Sequence, residues 1–166
     1  NTMSYADLKK YETDDNPVIA MFAHLYNPDM PALRLGDWIN ATVGKNKNMN
    51  EIILSKGIMR RRISKNMPTD KAEEIINLSK PLIRFIKKLE IKGALFGELS
   101  LQQVVNIVGK TLGEGNGSRH WRRLYVTEVV SKMTGKEKVV VAKEMNHSVG
   151  TAVLVYDRQK SKKKSK

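Results

Sequence analysis

Residues 118–156, SRHWRRLYVTEVVSKMTGKEKVVVAKEMNHSVGTAVLVY, carry His120 and Arg123 three positions apart, His147 after a helix-length spacer, and Tyr156 nine residues further on. Ser118 is placed to cap a helix over about residues 119–134. At 100° per residue His120, Arg123, Thr127 and Ser131 share one strip, while Trp121, Tyr125, Val126, Val129, Val130 and Met133 spread over the opposite side. His120 and Arg123 then point the same way near a helix N-terminus, which itself favours anions. Gly135 ends this helix and residues 136–145 form another, closed by Asn146, a residue that tolerates the left-handed turn. His147 follows at once, and Ser148 caps a last helix over residues 150–160 that bears Tyr156. Histidine, arginine and tyrosine are side chains that grip or attack a phosphate, so the rest of the chain is read as support for this stretch.

The composition suits such a ligand. The 166 residues fit one domain, and 30 Lys and Arg against 17 Asp and Glu leave a net charge of +13. That balance points to nucleic acid or an anionic membrane surface. No apolar run approaches the roughly 18 residues of a membrane span, which favours double-stranded DNA over a membrane. With no cysteine, disulfides, thiolate metal sites and cysteine nucleophiles are excluded. No signal peptide is visible, so an intracellular, DNA-containing compartment is expected, bacterial cytoplasm or host nucleus. The chain opens on Asn rather than Met, which fits a piece of something longer.

Outward from the C-terminal stretch, the expected architecture is mainly α with a small β-hairpin or sheet, an α+β fold. Residues 1–16 read as a polar arm or linker, 17–157 as the domain, and 158–166 as a basic tail that adds non-specific DNA affinity. Pro17 opens a buried helix that ends at Asn27-Pro28, with His24 as a packed histidine inside it. Residues 32–43 form a second helix, with Leu33, Trp38 and Ile39 towards the core and Arg34 and Asp37 sharing another face. After the loop 44–50, the runs on either side of Ser55-Lys56-Gly57 predict a hairpin. Its returning strand holds Arg60, Arg61 and Arg62, read either as a solvated basic edge or as a ribbon along a phosphate backbone. Thr69-Asp70 with Glu73 predicts a helix over 71–80, kinked by Pro81 before 82–91. Ser100 and Gln103 form a capping box for a helix over 101–112, and residues 113–118 form a loop.

An Arg on an early helix, a Lys in a hairpin, His-x-x-Arg opening a helix, then a His and a Tyr nine apart form an ordered set. In that order the chain resembles the catalytic domain of the tyrosine recombinases, the phage integrase family, from about Pro17 to Tyr156. The resemblance places PALRLGD over the family's first arginine segment, which makes Arg34 catalytic with Asp37 beside it. It places ILSKGIMRRRI over the family hairpin, and implies Lys56 as the active-site lysine and general acid to the departing 5′-oxygen; Lys45, Lys47 and Lys65 lie within reach of the same loop. It implies His120 and Arg123 from SRHWRRLYV, and His147 and the nucleophile Tyr156 from MNHSVGTAVLVY. Met145 and Asn146 stand where the family carries Leu and Gly. Arg60, Arg61, Arg62, Arg119 and Arg122 are the expected DNA-backbone contacts.

The same resemblance implies a site-specific DNA recombinase or integrase of a virus or mobile element. It would use no metal and no cofactor, act as a homotetramer on paired DNA sites, and work with a separate or missing N-terminal core-binding domain. The chemistry stands on its own terms as well. A tyrosine with pKa near 10 is only about one part in a thousand ionised at neutral pH, so using it as a nucleophile asks for roughly 4 kcal/mol of help. Two arginines on the non-bridging oxygens of a phosphodiester supply that help in the transition state. Two other readings remain: relaxation of DNA by a type IB topoisomerase-like enzyme, whose second motif resembles Lys-x-x-Arg, and a non-catalytic basic DNA-binding domain.

Overall fold

Asn16 and Pro17 show how local chemistry starts this fold. The computed structural model describes residues 2–65 and 73–145. In it the Asn16 side chain accepts from the backbone of Val18 at 2.9 Å, and Pro17 occupies the first turn, where its missing N–H costs nothing. The helix that follows, α2 (Pro17–Leu25), is buried over all of residues 19–25, so it is a central strut rather than a surface helix. His24 stacks on Phe85 with ring centroids 4.4 Å apart, and burial lowers its pKa, as fits a packed histidine.

The N-terminal segment expected as an arm is folded onto this strut. A capping box between Ser4 and Asp7 starts α1 (Tyr5–Lys9), a 3₁₀ turn follows over Lys10–Thr13, and Leu8 is buried. The second predicted helix is shorter than its pattern. Helix α3 (Leu35–Ile39) stops at Asn40, and the β-branched residues that follow enter strand β1 (Ala41–Val43). The buried Asn50 draws this turn inward, its backbone N–H donating to Asn40 O at 2.9 Å.

The hairpin forms where expected, from β2 (Asn50–Ile53) and β3 (Ile58–Arg61), with Gly57 at φ +64° in the turn. The helix expected over residues 71–80 does not form. Residues 74–77 are instead strand β4 (Glu74–Asn77), antiparallel to β3, and helix α4 (Lys80–Lys88) starts at Ser79, whose side chain accepts from Leu82 N. Pro81 lies in the first turn of α4 and so fits the helix instead of kinking it. Strand β5 (Gly93–Ala94) completes a sheet in the order β4-β3-β2-β1-β5, in which β1 and β2 run parallel and every other pair is antiparallel. Thus β3 is an inner strand, not an edge.

Ser100 and Gln103 form the expected capping box of α5 (Leu101–Leu112). Helix α6 (Ser118–Glu128) begins one residue early, on Gly117 as N-cap, and gives way to a 3₁₀ turn at Val130–Lys132. Thr134 caps α7 (Gly135–Glu144), so Gly135 opens a helix where the sequence suggested that it closed one. Trp38, Trp121, Tyr26 and Phe22 are among the largest fully buried side chains, and they join α2, α3 and α6 in one core with Ile52 and Met59 of the sheet. Asn146, His147, Tyr156 and the predicted last helix lie outside the described residues. No helix among the described residues is long and apolar enough to cross a membrane.

Candidate functional site

Arg34 caps α3 in extended conformation, and the two residues before it are pinned. The Tyr26 hydroxyl donates to Leu33 O at 2.8 Å, and Arg122 Nη1 donates to Ala32 O at 3.1 Å. The half-buried Arg34 guanidinium is thereby held over a cavity of about 760 Å³. The wall is built from the start of α3 (Arg34, Asp37), the segment that follows β3 (Ile63, Ser64, Lys65), α5 (Leu101, Val105) and α6 (Arg119, Arg122, Arg123). Five cations, Arg34, Lys65, Arg119, Arg122 and Arg123, face this space beside one carboxylate, Asp37.

One carboxylate is too few for five cations, and Asp37 is shared with the sheet side. Its carboxylate accepts from Ser64 Oγ at 2.6 Å and from Arg61 at 3.2 Å. Burial raises its pKa, and Ser64, Arg61 and the charge of Arg122 oppose the rise. Arg122 is buried, and its pKa is pushed down to about 10, first by burial and then by the charge of Arg34. It remains a cation at neutral pH. A buried Nε of Arg34 has no hydrogen-bond acceptor among the described residues. Gly117 supplies no side-chain cap, so the first N–H groups of α6 open beside Ser118 and Arg119 at the cavity. Positive charge, fork-shaped donors and a helix N-terminus converge on one space, an arrangement that takes an oxyanion such as a phosphodiester.

Below this layer, Asn50 pins the floor. Its side-chain amide donates to Asp37 O and Ile63 O, both at 2.9 Å, and its carbonyl accepts from the backbone of Arg62 and Ile63 at 2.7 and 2.8 Å. With this residue wholly buried, α3 and the strand carrying Lys65 cannot shift independently.

Not every expected site residue reaches the cavity. Arg34 and Arg123 line it, and so do Arg119 and Arg122. His120 does not: its Nε2 lies 2.8 Å from Met3 O and its ring packs edge-on to Trp121. On a helix it points 100° away from Arg119, on the flank of the strip formed by Arg119, Arg122, Arg123 and Val126. Those four stand at the i, i+3, i+4, i+7 spacing of a helix face, the signal that could have singled out Arg122. Lys56 is exposed at the hairpin tip and takes no part in the cavity wall, where Lys65 stands instead.

Arg60, Arg61 and Arg62, expected on DNA, all lie outside the cavity wall. Arg61 is fully buried, bonded to Asp37 and Glu74, which corrects its expected role as a surface contact. Arg62 pairs with Glu51 at 3.2 Å and Glu73 at 3.4 Å. Buried Arg122 belongs to the cavity wall rather than to an outer DNA-contact surface. Among the described residues no group of three or more His, Asp or Glu side chains is placed to hold a metal ion.

The α+β fold of this chain is similar to that of a recombinase of known structure. A solved structure, the crystal structure of XerA recombinase, matches it with a TM-score of 0.61 at 16% sequence identity. The match covers 93% of this chain and 58% of that one, so the chain spans little more than half the length of the protein it resembles. No protein-family model matches the sequence, and no curated protein does.

Proposed function

We propose that this chain is the catalytic domain of a site-specific DNA recombinase or integrase that breaks and rejoins strands through a 3′-phosphotyrosyl link. The observation that carries the reading is the cavity in which Arg34, Arg122 and Arg123 converge beside a single carboxylate, Asp37, which is also bonded to Ser64 and Arg61, on a fold similar to that of a recombinase. A phosphodiester seated there would place its two non-bridging oxygens on Arg34 and Arg122, whose mutual repulsion it would relieve. Arg123, on the same face and exposed, would take the neighbouring backbone phosphate.

In the reaction, the Tyr156 hydroxyl gives up its proton to water as its oxygen bonds to phosphorus, and the bond to the 5′-oxygen breaks. The departing strand takes a proton and leaves as a free 5′-hydroxyl, while the 3′ end stays on the protein as a phosphotyrosyl ester. Lys65, in the cavity wall, takes the role of proton donor that the resemblance had placed on Lys56. His147 donates a further hydrogen bond to the phosphate. One phosphodiester replaces another, so reversal with a second strand requires no nucleotide cofactor. His120 serves the fold, tying α6 to the N-terminal segment. A homotetramer on paired double-stranded DNA sites, with a separate N-terminal core-binding domain, completes the reading.

Because His120 faces Met3, it no longer separates strand exchange from simple relaxation. A two-duplex assay does. Two duplexes with different labels, drawn from a pool of candidate flanking sequences, are mixed with the protein. Strands carrying both labels support recombination. Relaxed plasmid without such strands supports a type IB topoisomerase-like activity, and tight salt-sensitive binding with neither product supports a plain DNA-binding domain.

A further inference from the structure

Helix α5 turns an uncommon set of side chains outward beside the cavity. Of the six large apolar side chains that stand exposed among the described residues, three, Ile63, Leu101 and Val105, line the cavity with the arginines. Leu101 and Val105, 45% and 44% exposed, are i, i+4 neighbours on α5, while Val104, Val108 and Leu112 of the same helix are packed in the core. One row further round, 100° on, stand Gln102, Asn106 and Lys110, all exposed. None of the twelve residues of α5 is Asp or Glu, whereas a helix face turned to water ordinarily mixes both signs of charge. Gln102 Nε2 donates to Asn106 Oδ1 at 2.9 Å, which orients the Asn106 amide. Its own N–H groups and the second lone pair of Oδ1 stay unengaged among the described residues.

An oriented amide next to small apolar groups, with no carboxylate among them and cations alongside, matches one partner. In the major groove adenine presents N7 as acceptor and N6–H as donor, the pair that an Asn amide satisfies, and thymine presents its C5 methyl to apolar side chains. At twelve residues α5 is about 18 Å long, and a groove roughly 12 Å wide admits a helix. The five cations of the cavity wall supply the charge that holds the neighbouring backbone. We infer that α5 is a base-reading helix, and that Asn106 and Val105 are specificity-determining residues that select an A·T pair beside the phosphate in the cavity. Gln102 acts through Asn106, by fixing its amide. The inference rests on the reading of the cavity as a DNA phosphate site and involves no step of cleavage.

The test is selection from a pool of randomised DNA duplexes by the parent, Asn106→Ala and Val105→Ser, followed by titration of the enriched duplex. Both side chains are exposed, so the variants are expected to melt like the parent. The parent should enrich duplexes that share an A·T pair at one register. Asn106→Ala should lose that preference, its affinity for the enriched duplex falling about 5- to 100-fold, while its affinity for unselected duplex and its salt dependence stay within about twofold. Replacing the selected thymine by deoxyuridine removes only the methyl, and should weaken the parent about two- to fivefold and Val105→Ser not at all. Enriched duplexes with no A·T pair in common, an Asn106→Ala variant that keeps the parental preference, or equal binding of thymine and deoxyuridine duplexes by the parent overturns the inference. A lower melt or a changed oligomeric state in Val105→Ser, with base preference unaltered, overturns it too, because protein then covers this face. A parent that selects an A·T pair through Asn106 yet never forms a covalent adduct on the enriched duplex keeps the inference and removes the recombinase reading. An adduct formed without any base preference does the reverse.

Discussion

Around Arg61 a buried guanidinium meets Asp37, Glu74 and two carbonyls, whereas a short way along the same sheet five cations face a cavity with Asp37 already engaged. In the first region both terminal nitrogens of the guanidinium are met by carboxylates and carbonyls of the chain. In the second, the charge of Arg34 opposes that of the buried Arg122, with one carboxylate beside five cations. The difference teaches that in a chain of net charge +13 the number of arginines says little, and what each one faces says a great deal. One set closes the fold, and the other leaves positive charge for an outside anion to meet.

That contrast breaks first at Arg61. Arg61→Met strands Asp37 and Glu74 without their partner and is expected to cost about 3–5 kcal/mol, lowering Tm by on the order of 10 °C in a thermal melt. A melt within a degree or two of the parent would show that the cluster is not the anchor described. Arg34→Ala and Arg122→Ala act on the other side. For Arg34→Ala, adduct formation is expected to drop about 100- to 1,000-fold with the melt little changed. Arg122→Ala should lose both, because it also releases Ala32 and Met145.

The two lysines sharpen the comparison. Lys65→Ala is expected to slow cleavage by about 100-fold or more, and a substrate with a 5′-phosphorothiolate leaving group, which needs no proton, should restore most of the rate. Lys56→Ala at the hairpin tip should leave cleavage unchanged; the opposite outcome would return the proton donor to Lys56. A smaller effect comes from inorganic phosphate. At ten times its Kd it should stabilise the parent by about 1.4 kcal/mol, a few degrees in Tm, and do much less for Arg34→Ala. Smallest is His120→Ala, which loses the contact to Met3 O and is expected to cost about 1 kcal/mol with cleavage intact.

Much of the fold was legible because the signals that make it are local. Asn16-Pro17 and Ser100-x-x-Gln103 mark helix starts from a few adjacent residues, and Gly57 marks the hairpin turn. The misread segments are those settled by partners far along the chain. Residues 71–80 carry a cap-like Asp-x-x-Glu, yet Ile75 and Ile76 are drawn into β4 by pairing with Arg60 and Met59. Thr42 and Val43 leave the helix pattern because β2 and β5 flank them. The site divides in the same way. Arg34 and Arg123, singled out by motif, line the cavity, whereas Arg122 was expected only as a DNA-backbone contact. Arg122 is buried because the carbonyls of Ala32 and Met145 meet it, and no local pattern announces partners 90 and 23 residues away. Lys65 was named beside Lys45 and Lys47 but not preferred to Lys56, because no local pattern sets which lysine faces the cavity.

The most direct test of the central claim is a denaturing gel of the protein incubated with nicked suicide DNA, the parent beside Tyr156→Phe. A covalent protein–DNA adduct in the parent, formed with a chelator present and without ATP, and absent in Tyr156→Phe, is the predicted result. An adduct that survives the substitution would contradict it by moving the nucleophile elsewhere in the chain.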